Sequence, residues 1–241
     1  MQSHLAQRPI PMKPRKSSLY SLLHRLRVAV TDPRDRFLDD VSGVVHVGAN
    51  TGQERGLYAR FGLRVLWIEP VPEVFSKLIG NIEGYPDQRA VQVLVTDQDD
   101  AEYSFNVANN FGASSSILEL KGHREIWPEV EFTRQIVLRS TTLETLLVRE
   151  RIDPADYDAL IMDTQGSELL VLQGALGILQ KFRFIKTEVA DFEAYANCCQ
   201  VADIHRLMTR YGFREYHRFK FAERTGLGSY YEITYRRDSG S

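Results

Sequence analysis

VVHVGANTGQERGLYARFGLRVLWIE, residues 44–69, begins with an apolar run at 44–47. That run is long enough for a buried strand and too short for a buried helix. Gly48-Ala49-Asn50-Thr51-Gly52 follows as a turn, where glycine tolerates positive φ and lets a ligand approach the backbone. Residues 53–61 read as a helix with Leu57, Tyr58 and Phe61 on one face and Gly62 as its C-terminal stop. A second apolar run, 65–68, ends on Glu69. The stretch is one strand-turn-helix-strand unit, with glycines at the end of the first strand and a carboxylate at the end of the second.

In an open α/β sheet, ligands sit beyond the carboxyl ends of the strands, at the point where the strand order reverses. The free N–H groups of the turn and helix start favour an anionic group. An acidic residue about 20 positions after the glycines accepts hydrogen bonds from ribose hydroxyls, and Glu69 has that spacing. The turn lacks the G-x-G-x-x-G spacing that brings a backbone close to a pyrophosphate. The unit therefore points to a nucleoside without phosphates, S-adenosylmethionine, ahead of NAD. The plainer readings are an ordinary turn and a solvated strand end at Glu69.

The remaining 215 residues of the 241 set bounds on the class. Length favours one large α/β domain over two small ones. Apolar content of 43% and charge of 26% suit an ordinary globular protein, and a net charge of -2 offers no global attraction for nucleic acid. No apolar run approaches the ~18 residues that span a bilayer, and no signal-peptide pattern opens the chain. Cys198 and Cys199 are adjacent and cannot staple distant segments, and no Cys/His zinc spacing occurs. These features lead us to expect a cytoplasmic protein without structural disulfides or zinc, and with no nucleic-acid partner.

Residues 1–40 are expected to form a basic N-terminal arm and helix, and 41–241 the main domain. The first 31 residues carry Arg8, Lys13, Arg15, Lys16, Arg25 and Arg27 with no acidic residue. A helix from Ser17, striped by Leu19, Leu22, Leu23, Leu26 and Val30, is expected to end at Asp32-Pro33. It offers a weak contact to a membrane surface, set against simple packing on the domain. Beyond the opening unit, Pro72 starts a helix to residue 82 with Phe75, Leu78, Ile79 and Ile82 inward. Strands are expected at 91–95, 101–107, 136–138, 159–162, 184–189, 213–221 and 230–235, and helices at 167–181 and 201–211. Thr141-Thr142-Leu143-Glu144 reads as a capping box. Residues 108–116, ANNFGASSS, form a loop of the kind that carries binding groups. Alternating strands and helices with a closing hairpin predict a doubly wound, mostly parallel sheet with an antiparallel C-terminal edge.

Glu69, Asp163 and Glu188 all fall near predicted strand ends. Carboxylates gathered there bind hydroxyl and ammonium groups, act as a general base, or hold a divalent metal. Asp163 also suits an N-cap, and Glu188 a pairing with Lys186. His123, just after the serine-rich loop, has an ordinary pKa of about 6.5 that suits proton removal; the alternative is a solvated loop histidine. His46, inside the first strand, is expected to be a satisfied core residue. Trp127 and Phe111 offer stacking surfaces or core packing.

These residues together resemble the FkbM family of S-adenosylmethionine-dependent O-methyltransferases. The matching segments are VVHVGANTGQE, VLWIEPVPEVFSKL, NNFGASSSILEL, LIMDTQGSELLVLQGA and FIKTEVA, in order across residues 43–215. The resemblance implies a class I methyltransferase fold with a seven-stranded, Rossmann-like sheet. It implies that Gly48, Ala49, Asn50 and Gly52 cradle the methionine part, that Glu69 holds the ribose, and that Glu54 and Pro70 belong to the same cofactor set. Thr96, Asp97 and Ser115 would lie around the adenine or the acceptor entrance. His46 stands where the family often has an acidic residue, and the ending GLGSYYEITYRR lacks the family's common Gly-Asp.

The expected activity is methyl transfer to a hydroxyl of a sugar or glycan, for example a deoxysugar such as fucose, or of a secondary metabolite. Asp163, His123 or Glu188 would serve as catalytic groups. A metal-assisted variant with Asp163 and Glu188 or Asp191 as ligands is the minority reading. The rivals are a nucleotide-dependent oxidoreductase on the same kind of sheet and a non-catalytic binding module.

Overall fold

The computed structural model describes residues 32–238. The helix expected at 17–31, with its membrane-surface role, lies outside them. Ten strands form: β1 Gly43–Val47, β2 Arg64–Ile68, β3 Gln88–Val91, β4 Leu94–Val95, β5 Glu102–Ala108, β6 Phe132–Thr141, β7 Ala159–Met162, β8 Phe184–Ala190, β9 Phe213–Arg224 and β10 Gly228–Arg237. Seven make the main sheet in the order β3-β2-β1-β7-β8-β10-β9. The first five are mutually parallel, and β10 runs antiparallel to both β8 and β9. The chain builds outward from β1 to β3, then returns to place β7 on the other side of β1. The order therefore reverses between β1 and β7.

Helices cover both faces, as continuous apolar runs in parallel strands require. The helices are α1 Arg55–Phe61, α2 Pro72–Ile82, α3 His123–Ile126, α4 Leu143–Arg149, α5 Glu168–Gln173 and α6 Val201–Arg210. Alternate residues of one strand serve opposite cores. Val45 and Val47 pack with Leu66, Leu146, Leu172 and Met208, under α4, α5 and α6. Val44 packs with Trp67, Tyr58 and Leu78, under α1 and α2. Gly62 closes α1 in the left-handed conformation (φ 66°), as its missing Cβ allows.

Several expectations need correcting. Asp32-Pro33 starts an element: Asp32 caps the 3-10 helix Pro33–Asp40 through the Arg34 N–H. Phe37 of that helix is 1% exposed and meets the Phe184 ring at 5.4 Å. The core thus continues N-terminal of residue 40. The buried residues of α2 are Val74, Leu78 and Ile82, with Phe75 partly buried against the same core, whereas Ile79 is exposed. The strand expected at 91–95 is two, β3 in the main sheet and β4 outside it. The strand expected at 101–107 is β5, that expected at 136–138 extends to β6, and the two pair with each other in a separate three-stranded sheet in which β6 also pairs with β4. Thr142, not Thr141, caps α4, and Glu144 accepts the Gly177 N–H. The helix expected at 167–181 breaks after Gln173, where a Cβ on Gly174 would stand 2.1 Å from the Thr96 carbonyl. Among the described residues no helix is long and apolar enough to cross a membrane.

Truncating a buried Phe costs about 3–5 kcal/mol. Urea unfolding of Phe37→Ala is expected to show a loss of that size, which would be absent if residues 33–40 were an appended arm.

Candidate active site

The carboxyl ends of β1 and β7 meet at the reversal point. The Asp163 N–H donates to the Val47 carbonyl at 3.0 Å. Gly48 has φ 79°, and a Cβ there would lie 1.9 Å from the Asp163 carbonyl oxygen. Only glycine fits. Gly48 and Ala49 donate their N–H groups to the Ile68 carbonyl at 3.0 Å, folding the turn over the end of β2. Asn50 is held at φ 45° and Gly52 at φ 70°.

A cleft of about 760 Å³, partly open to solvent, lies over this turn. One wall is Glu69 and Pro70; an apolar wall is Val93, Leu94, Val95 and Phe105; Gly112, Ala113 and Ser115 bound the top; Asp163 and Gln165 close the far end. Gly48, Ala49, Asn50 and Glu54 also line it. Eight of the expected site residues therefore face one space, namely Gly48, Ala49, Asn50, Glu54, Glu69, Pro70, Ser115 and Asp163, and Gly52 and Glu188 lie just outside it.

 Gly52 packs its Cα on Leu78 of α2, and Glu188 sits one strand beyond Asp163.

Glu69 is 5% exposed and held from two sides. Its Oε2 accepts the Asn50 N–H and its Oε1 the Val71 N–H, both at 2.9 Å. Burial outweighs those bonds and pushes its carboxyl up to about 7. Asp163 is raised as well, first by burial and then by the nearby Glu168 carboxylate. Glu54, at the start of α1, is raised by burial. Acidic groups with raised values gathered in a cleft are a mark of functional sites.

The segment after Asp163 is organised by residues that the sequence reading passed over. Glu168 is 1% exposed, and its carboxylate accepts the Thr164 and Gly166 N–H groups at 2.8 and 3.1 Å. Gln165 adopts φ 53°, costly for a residue with a side chain. Its Nε2 donates to Asp163 Oδ1 at 2.5 Å, its Oε1 accepts from the Tyr195 hydroxyl at 2.7 Å, and its carbonyl accepts from Ser116 Oγ at 2.8 Å. The sequence clue was DTQGSE, in which a buried acid three residues after a turn can satisfy that turn's amides.

Other expected residues are placed differently. His123 is not on a solvated loop: it is 4% exposed in the single-turn helix α3 and is absent from the cleft lining. Its Nδ1 bonds the Tyr230 hydroxyl at 2.7 Å, its Nε2 bonds Ser114 Oγ at 3.2 Å, and burial pulls its pKa down to about 4. It braces the loop behind Ser115. Thr96 and Asp97 also lie off the cleft; Thr96 is buried with its hydroxyl on the Gln98 carbonyl, and the preceding Val93, Leu94 and Val95 take the cleft position. Glu188 lies in register beyond Asp163, away from the cleft lining, and burial raises its carboxyl strongly. Asp191 is occupied by the Ser229 N–H at 2.7 Å and the Tyr231 hydroxyl at 3.2 Å. Trp127 packs against His123, and Phe111 is 81% exposed. His46 bonds the Tyr58 hydroxyl at 3.1 Å and stacks on Trp67, yet one edge of it reaches the cleft.

The family model described as Methyltransferase FkbM domain matches residues 46–215. The chain belongs to that family, and its seven-stranded sheet is the expected methyltransferase architecture. It is 26% identical over 189 residues to 2-O-methyltransferase NoeI of Sinorhizobium fredii, covering 75% of this chain and 74% of that protein. Among solved structures it is similar to Streptococcus pneumoniae Sp1610 in complex with S-adenosyl-L-methionine, with 11% identity, TM-score 0.48, and 88% and 75% of the two chains covered. It is also similar to M. capricolum TrmK in complex with S-adenosyl-homocysteine, with 8% identity, TM-score 0.47, and 86% and 69% covered.

A carboxyl that stays protonated to about pH 7 when folded, against an ordinary value near 4.5, binds more proton in the native state across that window. Its stabilising contribution is complete below the ordinary value and is lost as pH rises through 7. Urea unfolding at pH 6 and pH 8 is therefore expected to show lower stability at pH 8, with a smaller difference in Glu69→Gln.

Proposed function

We propose that this FkbM-family methyltransferase binds S-adenosylmethionine in the cleft over Gly48 and transfers its methyl group to a hydroxyl of a sugar or glycan. The observation that carries this reading is the charge layout of that cleft: carboxylates at Glu54, Glu69 and Asp163, and an apolar slot at Val93, Leu94, Val95 and Phe105. The acceptor class follows the name of the 2-O-methyltransferase relative.

The donor set fits the cofactor part by part. Glu69 is fixed by the Asn50 and Val71 amides with lone pairs left for ribose hydroxyls. The apolar slot of Val93, Leu94, Val95 and Phe105 would hold the adenine. Glu54 and Asp163 supply negative charge for the ammonium and sulfonium groups, and the turn from Gly48 to Gly52 lets the backbone approach the methionine part. When bound, the cofactor supplies an electrophilic methyl carbon on a positively charged sulfur. Asp163 would accept the proton of the acceptor hydroxyl as that oxygen takes the methyl group. Holding donor and acceptor in line is itself worth about 7–11 kcal/mol of barrier. Asp163, raised by burial, is matched to proton transfer near neutral pH.

Isothermal titration with S-adenosylhomocysteine tests the cofactor assignment. Glu69→Ala is expected to weaken binding about 100-fold, the equivalent of two charge-assisted hydrogen bonds at ~1.5 kcal/mol each. Unchanged affinity would remove Glu69 from the site, and no binding by the wild type would overturn the reading. Binding without methyl transfer across a panel of sugar hydroxyls would favour a non-catalytic module.

A further inference from the structure

A second chamber opens on the other side of Asp163 from the cofactor cleft. It encloses about 720 Å³, part of it open to solvent, and shares His46, Glu54 and Asp163 with the cleft. A third cavity, beside Tyr195 and Cys199, also touches Asp163 but is smaller, about 260 Å³.

The chamber is formed by one face of four neighbouring strands. His46 on β1, Ile161 and Asp163 at β7, Lys186 and Glu188 on β8, and Glu232 on β10 project from it, and α1 adds Leu57 and Tyr58. Arg34 and Asp35 of the 3-10 helix complete the wall. Both cations are already engaged. Lys186 Nζ lies 3.2 Å from Asp35 and 2.6 Å from Glu232, and Arg34 lies 3.0 Å from Glu232 and 2.8 Å from Asp32. Glu54, Asp163 and Glu188 have no ion-pair partner among the described residues. The chamber therefore presents hydrogen-bonding carboxyl groups and no free cation among the described residues, beside the apolar surfaces of Leu57 and Ile161. Hydroxyl groups donate well to such a wall and a C–H ring face packs on such side chains, whereas an anion finds both cations already paired.

Resting on the cofactor reading above, we propose that this chamber is the acceptor site. It holds a non-anionic sugar ring with one hydroxyl directed through the shared wall at Asp163. The separation of roles is geometric: the cleft takes the methyl donor, the chamber takes the acceptor, and Asp163 lies where both can reach it. Glu188 is a binding group for the ring rather than the base, because it faces the chamber and not the cleft.

Ligand-observed saturation-transfer NMR on the full chain tests this with methyl α-L-fucopyranoside as the neutral probe and galacturonate as the anionic one. S-adenosylhomocysteine affinity is titrated in parallel. The wild type is expected to bind the fucoside and not galacturonate. Leu57→Trp, which fills the chamber without touching the cleft, is expected to abolish the fucoside signal and leave S-adenosylhomocysteine affinity within ~3-fold. Glu188→Leu is expected to weaken the fucoside by ~10-fold or more, with Glu188→Gln restoring most of the loss. No fucoside binding by the wild type, equal binding of galacturonate, or fucoside binding unchanged in Leu57→Trp and Glu188→Leu would each overturn the acceptor site. If Leu57→Trp also loses S-adenosylhomocysteine, it has misfolded and the Glu188 pair decides. Fucoside binding with no S-adenosylhomocysteine binding in the wild type would sink the cofactor assignment and not the chamber.

Discussion

The backbone contact between Gly48 and the Asp163 carbonyl is the constraint on which the site depends. Two parallel strands end side by side there, and the space that a Cβ would need at position 48 is taken by Asp163 itself. Because the strands meet so closely, the turn after β1 must fold back over β2. That places the Asn50 amide on Glu69 and leaves Asp163 at the far end of the same cleft. The sheet order supplies the rest, since reversal between β1 and β7 means no crossover helix covers that end.

The site is expensive in stability terms. Glu69, Asp163, Glu168 and Glu188 are all raised by burial, and cations do not neutralise them. Backbone amides do part of that work at Glu69 and Glu168. A protein gathers buried acids at one sheet end when a cationic or hydroxyl-bearing ligand completes them, and functional sites commonly carry such a burden. The cavity arrangement has the same logic, with both cations near the second chamber held in ion pairs at its edge.

Gln165 ties the mobile-looking parts of the sequence into one unit. Its side chain reaches Asp163 and Tyr195, and its carbonyl takes the Ser116 hydroxyl. His123 then braces the same loop through Ser114, with Tyr230 on its other nitrogen. The serine-rich segment is therefore anchored to the end of β7 and to the C-terminal hairpin. The positions of Ser115 and Gly112 over the cleft follow from that anchoring.

Much of the fold was legible because it rests on local patterns. Short apolar runs marked β1, β2, β7 and β8, and the spacing from Gly48 to Glu69 marked the cleft. These features are set by short-range sterics and by which residues can be buried. Other features depended on partners distant in the chain. Gly174 breaks a good helical pattern because the Thr96 carbonyl occupies its Cβ position, and β5 and β6 leave the main sheet because they pair with each other. His123 is buried rather than solvated because the Ser114 and Tyr230 hydroxyls and the rings of Trp127 and Tyr195 enclose it. The chamber beside Asp163 draws on residues from Arg34 to Glu232, and no periodicity or motif could bring them together. The sequence by itself determined the strand-turn-helix-strand unit that floors the cleft, since turn geometry and strand burial act over a few residues. Only the tertiary structure decided which acids share that cleft and which face the chamber, because burial and charge pairing are properties of the packed sheet.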